Sequence, residues 1–382
     1  MKNKMEPFIL LIKPAGSNCN LDCRYCFYKN RPANIGQGRQ RMSDEVLEKF
    51  IRDYMQLRFP DAGFAWQGGE PTLMGPDFYA KAVELQKKYQ SPGQQIINTL
   101  QTNAVLLDEK WCRFLHDNNF LIGVSIDGPK EFHDHYRRDF SSAGAFDGVI
   151  KAVENLKKYK VEFNALVLLN DKNANHPDEL FDFFVESDIR YLQFVPCVEF
   201  DRATGKVAEF SITPDQYGKF MCRLFDRWCQ HGIEKMSIRD FESILLWCVN
   251  GRHTLCTFEK RCASYIVIEH NGDAFCCDFF VEPQWKLGNI LETPIGELAA
   301  SSRKLAFIRT KQNLCNQCFL CRHVDLCRSG CMKDKLTFFQ SQTNSPSYLC
   351  EGYKMFFDYA LPKFMQMAAS IAASSQMGKV GS

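Results

Sequence analysis

The chain has no apolar run approaching the roughly eighteen residues that a membrane-spanning helix needs. It also has no excess of charge: 47 Lys and Arg stand against 45 Asp and Glu, a net +2. No strong field therefore selects nucleic acid or an anionic membrane as a partner. The N-terminal "MKNKMEPFILLIKPAG" carries two lysines before a short apolar run, but no small-residue cleavage site follows, so it reads as a first strand rather than a signal peptide. Tandem repeats are missing too. A further absence is local. In "CNLDCRYCFYKN" (19–30), Cys19, Cys23 and Cys26 have no fourth cysteine nearby, although a structural zinc site or a closed four-thiolate iron–sulfur site takes four ligands.

Cysteine itself is abundant, with 18 in 382 residues. A secreted disulfide scaffold is a short chain with a sparse core, and this one is long and 45% hydrophobic. In a leaderless chain of this size, clustered thiols bind metal or carry out redox chemistry, which places the protein in a reducing cytoplasm.

Residues 7–198 alternate apolar, β-rich runs with amphipathic helical ones. Strands are predicted at 8–14, 63–69, 95–103, 120–128, 162–170 and 189–197. Helices are predicted at 43–59 (Ser43 as N-cap), 75–90 (Pro76 in the first turn), 108–118, 144–159 and 177–186. Six βα units imply parallel strands joined by helical crossovers, and hence an α/β fold with a partial (β/α)6 barrel. Residues 213–250 read as helical. Beyond 251 the strands shorten and cysteines crowd in. The run "YIVIEHNGDAFCCDFF" (265–280) predicts a hairpin with a type I′ turn at Asn271-Gly272. A last helix is predicted at 352–372. The expected division is residues 1–235 as barrel with following helices, and 236–382 as a cysteine-rich domain. The basic, Gly-rich stretch 29–41 reads equally as a mobile lid or a solvated loop.

The triple cysteine lies just after the first strand, at the end of a barrel strand where functional groups gather. Three thiolates can hold three irons of a 4Fe–4S cluster and leave the fourth iron open to a ligand, as an open zinc position does in catalytic zinc sites. A zinc site completed from elsewhere is the alternative. The C-x3-C-x2-C spacing, with Tyr25 before the third cysteine, resembles the signature of radical S-adenosylmethionine (SAM) enzymes. That resemblance implies that SAM chelates the open iron. It also implies SAM contacts at Gly68, Gly69 and Glu70 of "GGEP", at Ser125 near the ribose, at Arg137 near the carboxylate, and at Tyr25 and Val198.

Eight further cysteines have metal-ligand spacing: Cys256, Cys262, Cys277, then Cys318, Cys321, Cys327 and Cys331 in "CFLCRHVDLCRSGC", then Cys350. Paired C-x2-C elements also build zinc ribbons, so a zinc-stabilised, non-catalytic binding module is an open alternative. The array resembles the SPASM domain, which implies two auxiliary 4Fe–4S clusters. One would take Cys256, Cys262, Cys277 and Cys331, and the other Cys318, Cys321, Cys327 and Cys350. Cys276 and Cys315 sit beside ligands and leave the assignment ambiguous by one position. They, with Cys112, Cys197, Cys222, Cys229 and Cys248, otherwise read as small buried hydrophobes.

Within that family, "KPAGSNCNLDCRYCFY", "QGGEPT", "LQTN", "SIDGPKEFH", "YLQF", "CDFF" and "LGNI", in this order, resemble the anaerobic sulfatase-maturating enzymes. The resemblance implies oxidation of a cysteine or serine in an unfolded or nascent sulfatase to Cα-formylglycine. A 5′-deoxyadenosyl radical would abstract hydrogen from Cβ, Asp278 would be the general base, and Tyr28 and Gln67 would contact the substrate. An electron donor such as flavodoxin or ferredoxin is implied as a partner. A related alternative is a SPASM maturase that crosslinks or oxidises a ribosomal peptide. So short a segment before the first strand argues against the extra recognition domain such maturases often carry.

Overall fold

A computed structural model describes residues 5–30, 40–201, 204–335 and 345–380. The chain forms two compact units. Most of the stretch 29–41, expected as lid or loop, lies outside the described residues.

The first unit comprises residues 1–126, 133–164 and 262–310. It opens with β1 (Ile9–Lys13), α1 (Asp44–Met55), β2 (Asp61–Trp66), α2 (Pro76–Tyr89), β3 (Gln95–Thr102), α3 (Glu109–Asp117) and β4 (Leu121–Ser125). Neighbouring strands from β1 to β4 are parallel. β1 and β4 are buried at four consecutive positions out of five, because helices cover both faces of such a sheet. Ser43 caps α1 by accepting from the Val46 N–H, and Pro76 occupies the first turn of α2. After the short α4 (Lys130–Tyr136), α5 (Phe146–Lys158) leads to β5 (Phe163–Leu169). Trp66 is fully buried and donates to Asn98 Oδ1 at 2.9 Å, so its indole nitrogen is satisfied within the core.

The cysteine-rich hairpin joins the same unit. Its strands β8 (Tyr265–Glu269), β9 (Asp273–Phe275) and β10 (Lys286–Asn289) continue the sheet from β1, and β8 runs parallel to β1. Leu11, Val267, Phe275 and Val281 pack there into one cluster. The turn departs from the type I′ expectation, which requires positive φ at two adjacent positions. Only Gly272 adopts it, at +86°. The connection spans three residues, 270–272, with the Gly272 N–H donating to the Glu269 carbonyl at 2.9 Å. Loop length selects the turn type, and an Asn-Gly pair within three residues no longer specifies I′.

The second unit comprises residues 127–132, 165–261 and 311–382. Here β5 pairs parallel with β6 (Tyr191–Pro196), after α6 (Pro177–Glu186), and β6 with the short β7 (Ser237–Ile238). Helices α7 (Pro214–His231) and α8 (Arg239–Asn250) enclose an aromatic core with the C-terminal helix (Cys350–Val380). Phe225, Trp228, Phe241, Phe356 and Phe364 form it. Gly352 lets the C-terminal helix approach α7: a Cβ there would lie 2.3 Å from the Pro214 carbonyl oxygen. Among the described residues, no helix is long and apolar enough to cross a membrane.

Candidate active site

In the first unit, β1 ends at Lys13 and β8 ends at Glu269, and the parallel register sets these residues side by side. Lys13 is fully buried and its Nζ lies 3.1 Å from Glu269 Oε1. The same ammonium pairs with Asp278, which follows β9 in a short 3-10 turn. Gln67, just past β2, donates through Nε2 to Asp278 Oδ2 at 2.9 Å. Its backbone N–H donates to the Ile12 carbonyl at 2.9 Å, fixing it beside β1. The Tyr28 hydroxyl donates to the same carboxylate at 3.3 Å, and its ring lies 5.0 Å from the Lys13 ammonium. Asp278, Tyr28 and Gln67, singled out from sequence, thus converge on one point. Lys13 and Glu269 were missed. Their signal was present as a single charge closing an otherwise apolar parallel strand, at the carboxyl edge where sites form.

The triple-cysteine loop is tied down by its own backbone. Asp22 N–H donates to the Arg138 carbonyl at 2.7 Å and Arg24 N–H to that of Tyr136 at 3.3 Å. This brings Tyr25 against Tyr136, with centroids 5.4 Å apart, and sets the Arg137 guanidinium 5.5 Å from the centre of the Tyr25 ring. The Leu21 N–H and the Asn103 side-chain amide both point at Cys19 Sγ, at 3.4 and 3.6 Å. Burial pushes the Cys19 thiol up to about 12. Two donors aimed at a half-buried sulfur suit a thiolate ligand of a metal cluster.

The Gly68-Gly69-Glu70 turn packs closely on an earlier loop. A Cβ on Gly69 would stand 2.1 Å from the Asn18 carbonyl oxygen, and Gly68 has φ +125°. The glycines admit the 16–18 backbone: Gly69 N–H donates to the Gly16 carbonyl at 2.8 Å and Glu70 N–H to that of Asn18 at 2.7 Å. Glu70 is fully buried, and its carboxylate accepts from Thr72 N–H, the Thr72 and Thr102 hydroxyls and Asn103 N–H, at 2.6–2.9 Å. Burial pushes its carboxyl upward against these bonds. Its side chain thus braces the loop that carries Asn103 to Cys19. Ser125 is buried at the end of β4.

In the second unit, Cys318, Cys321, Cys327 and Cys350 line one cavity together with His323, Tyr353 and Phe357. Cys315 abuts Cys318, Sγ to Sγ 3.4 Å. Among the described residues no three His, Cys, Asp or Glu side chains converge to hold a single metal ion. The four cysteines share that one cavity with nine other lining residues. Cys262 and Cys277 belong to the first unit, where Cys276 turns into the core at 1% exposure. Cys256 and Cys331 belong to the second unit, as does Val198, whose carbonyl accepts from Lys333 Nζ at 2.6 Å.

Comparison with known proteins bears on the family and the fold. Residues 14–184 match the radical SAM superfamily, and residues 250–322 match SPASM, an iron–sulfur cluster-binding domain. A serine-type anaerobic sulfatase-maturating enzyme of Bacteroides thetaiotaomicron is 40% identical over 376 residues, covering 94% of this chain and 90% of that protein. A cysteine-type counterpart from Clostridium perfringens is 38% identical and covers 96% and 100%. The solved structure of native anSMEcpe with bound AdoMet and the Cp18Cys peptide superposes with a TM-score of 0.90. It is 37% identical and covers 96% of this chain and all of that one.

Proposed function

The chain belongs to the anaerobic sulfatase-maturating enzymes of the radical SAM superfamily, and we propose that it oxidises a cysteine or serine of a target sulfatase to Cα-formylglycine. The observation that carries this reading is the Asp278 carboxylate, held by Lys13, Gln67 and Tyr28 at the carboxyl ends of β1 and β2.

Cys19, Cys23 and Cys26 would hold a 4Fe–4S cluster with one open iron for SAM, and the pair when bound supplies the radical that removes hydrogen from the substrate Cβ. The Arg137 guanidinium suits the SAM carboxylate, since a planar fork pairs well with a carboxylate. With the Glu70 carboxylate already engaged, and its carbonyl accepting from Leu73 N–H, the Gly68 and Gly69 carbonyls are the acceptors of this turn proposed for the SAM amino group. Tyr25, Ser125 and Val198 complete the proposed contacts.

Asp278 takes the thiol or hydroxyl proton of the substrate, as a carboxylate within hydrogen-bond reach can. The second electron lost by the substrate would be accepted by the auxiliary iron–sulfur groups. Serine then gives the aldehyde directly, and the thioaldehyde from cysteine exchanges its sulfur for oxygen with water and releases sulfide. Lys13 holds that carboxylate in place. Gln67 and Tyr28 offer their donors to the peptide backbone once it displaces them from Asp278. By the resemblance, Cys256, Cys262, Cys277 and Cys331 would hold one auxiliary cluster and Cys318, Cys321, Cys327 and Cys350 the other, with residues 236–382 as the portion devoted to them. The peptide reaches the site unfolded or nascent, in the cytoplasm, and a flavodoxin or ferredoxin supplies the electron.

The test is anaerobic reconstitution with iron and sulfide, followed by reductant, SAM and a peptide containing C/S-x-P-x-R. The expected product is an aldehyde residue, read by mass spectrometry. Deoxyadenosine formed without aldehyde would overturn the sulfatase reading.

A further inference from the structure

Helix α10 (Ser302–Gln312, "SRKLAFIRTKQ") follows α9 (Ile295–Ala299) and contains four cationic side chains and no acidic one. Two of its lysines, Lys304 and Lys311, lie seven residues apart, so the helical period sets them on one face. Both are buried, at 3% and 1% exposure. A lysine this deep normally has a carboxylate partner, as Lys13 has. Among the described residues neither of these ammonium groups has one within ion-pair distance.

Their donors go to backbone carbonyls instead. In the first unit, Lys304 Nζ donates to Cys262 O at 3.3 Å, Tyr265 O at 2.7 Å and Cys276 O at 3.1 Å. The first is the carbonyl of Cys262 itself, the second lies three residues after Cys262, and the third directly precedes Cys277. In the second unit, Lys311 Nζ donates to Thr257 O at 3.0 Å, Arg328 O at 3.1 Å and Gly330 O. These flank Cys256, Cys327 and Cys331 in sequence. Each ammonium therefore spends all three N–H donors on segments that carry cysteines assigned to auxiliary clusters.

Three carbonyls satisfy the hydrogen bonds of an ammonium but leave its net charge unbalanced in a medium of low dielectric. A 4Fe–4S cluster held by four thiolates is anionic, and more so when reduced. Such a cluster supplies the missing counter-charge. We propose that Lys304 and Lys311 are the internal counter-ions of the auxiliary clusters, positioning their ligand loops and raising their reduction potentials. This rests on the iron–sulfur reading of the second cysteine field and is independent of which substrate the enzyme oxidises.

The charge is separated from the packing by two variants of the full-length, reconstituted holoenzyme, Lys304→Met and Lys304→Arg. Readouts are iron per chain and the midpoint potentials of the auxiliary clusters, from a redox titration followed by electron paramagnetic resonance. In Lys304→Met one auxiliary cluster is expected to hold its electron at least about tenfold less tightly, a fall of about 59 mV. Lys304→Arg keeps the wild-type potential. An unchanged potential in Lys304→Met, or an equal fall in both variants, overturns the proposal. If Lys304→Met is isolated short of iron, full iron in Lys304→Arg supports the proposal and a matching loss overturns it. Lys311→Met and Lys311→Arg are judged in the same way.

Discussion

Replacing Lys13 by Met removes the cation shared by Glu269 and Asp278 while keeping most of the side-chain volume. Lys13 is fully buried, Glu269 is 2% exposed and Asp278 12% exposed. Breaking a buried pair by deleting one partner costs about 3–5 kcal/mol, because the remaining charge keeps its desolvation penalty. The slight exposure of Asp278 puts the expected value toward the lower end. At about 2–4 °C per kcal/mol for a domain of this size, the melting temperature should fall by roughly 6–20 °C. Circular dichroism of the reconstituted protein, wild type against K13M, reads the shift. The same variant should uncouple chemistry from SAM cleavage, because an untethered Asp278 no longer sits where the substrate proton leaves. A misplacement on the order of 1 Å costs about 100-fold, read as aldehyde formed per deoxyadenosine. In a D278N background K13M should cost less by about 0.5–3 kcal/mol, since part of its penalty has already gone. Unchanged melting with full aldehyde yield, or strict additivity in the double variant, would refute a structural and positional role for this pair.

Asp278→Asn should still cleave SAM while aldehyde falls by about 10²–10⁴-fold, the usual worth of a general base; full aldehyde yield would remove Asp278 from that role. Glu70→Gln puts an amide donor where Asn103 N–H or the Thr72 and Thr102 groups now donate, at a cost of about 1–3 kcal/mol. Because that loop also delivers Asn103 to Cys19, iron retention should fall with stability, and wild-type iron content would argue against the coupling. Asp240, buried and accepting from Phe194 N–H, has its carboxyl pushed up to about 6 by burial. A raised folded-state value stabilises fully below the unfolded carboxyl range, and that contribution is lost as pH rises through about 6. Asp240→Asn should therefore stabilise the protein at pH 7.5 but not at pH 5, and equal melting of the two proteins at pH 7.5 would contradict this.

The strands and helices of the barrel region were legible because each announces itself locally. Apolar runs alternate with amphipathic ones, and Ser43 and Pro76 mark helix starts that the structure repeats. The cysteine spacings were equally legible, since thiol ligands come in short sequence intervals. The site around Asp278 was only half legible. Asp278, Tyr28 and Gln67 could be singled out, but Lys13 reads as an ordinary strand-end lysine until its partner is known, and Glu269 lies 256 residues away. That partnership follows from β8 pairing parallel with β1, a long-range choice that no local pattern encodes. Likewise "GGEP" was visible as a motif, whereas the neighbour its glycines admit, the backbone of Asn18, comes from an earlier loop. The buried lysines of α10 belong to the same class: amphipathic patterning assigns every lysine to solvent, and only the packed structure shows an ammonium without a carboxylate. Two parallel strands of five residues, each closed by a charge of opposite sign, are therefore more than a core pairing. Their last residues must meet at the carboxyl edge, so the pairing that builds the sheet also builds the support for Asp278.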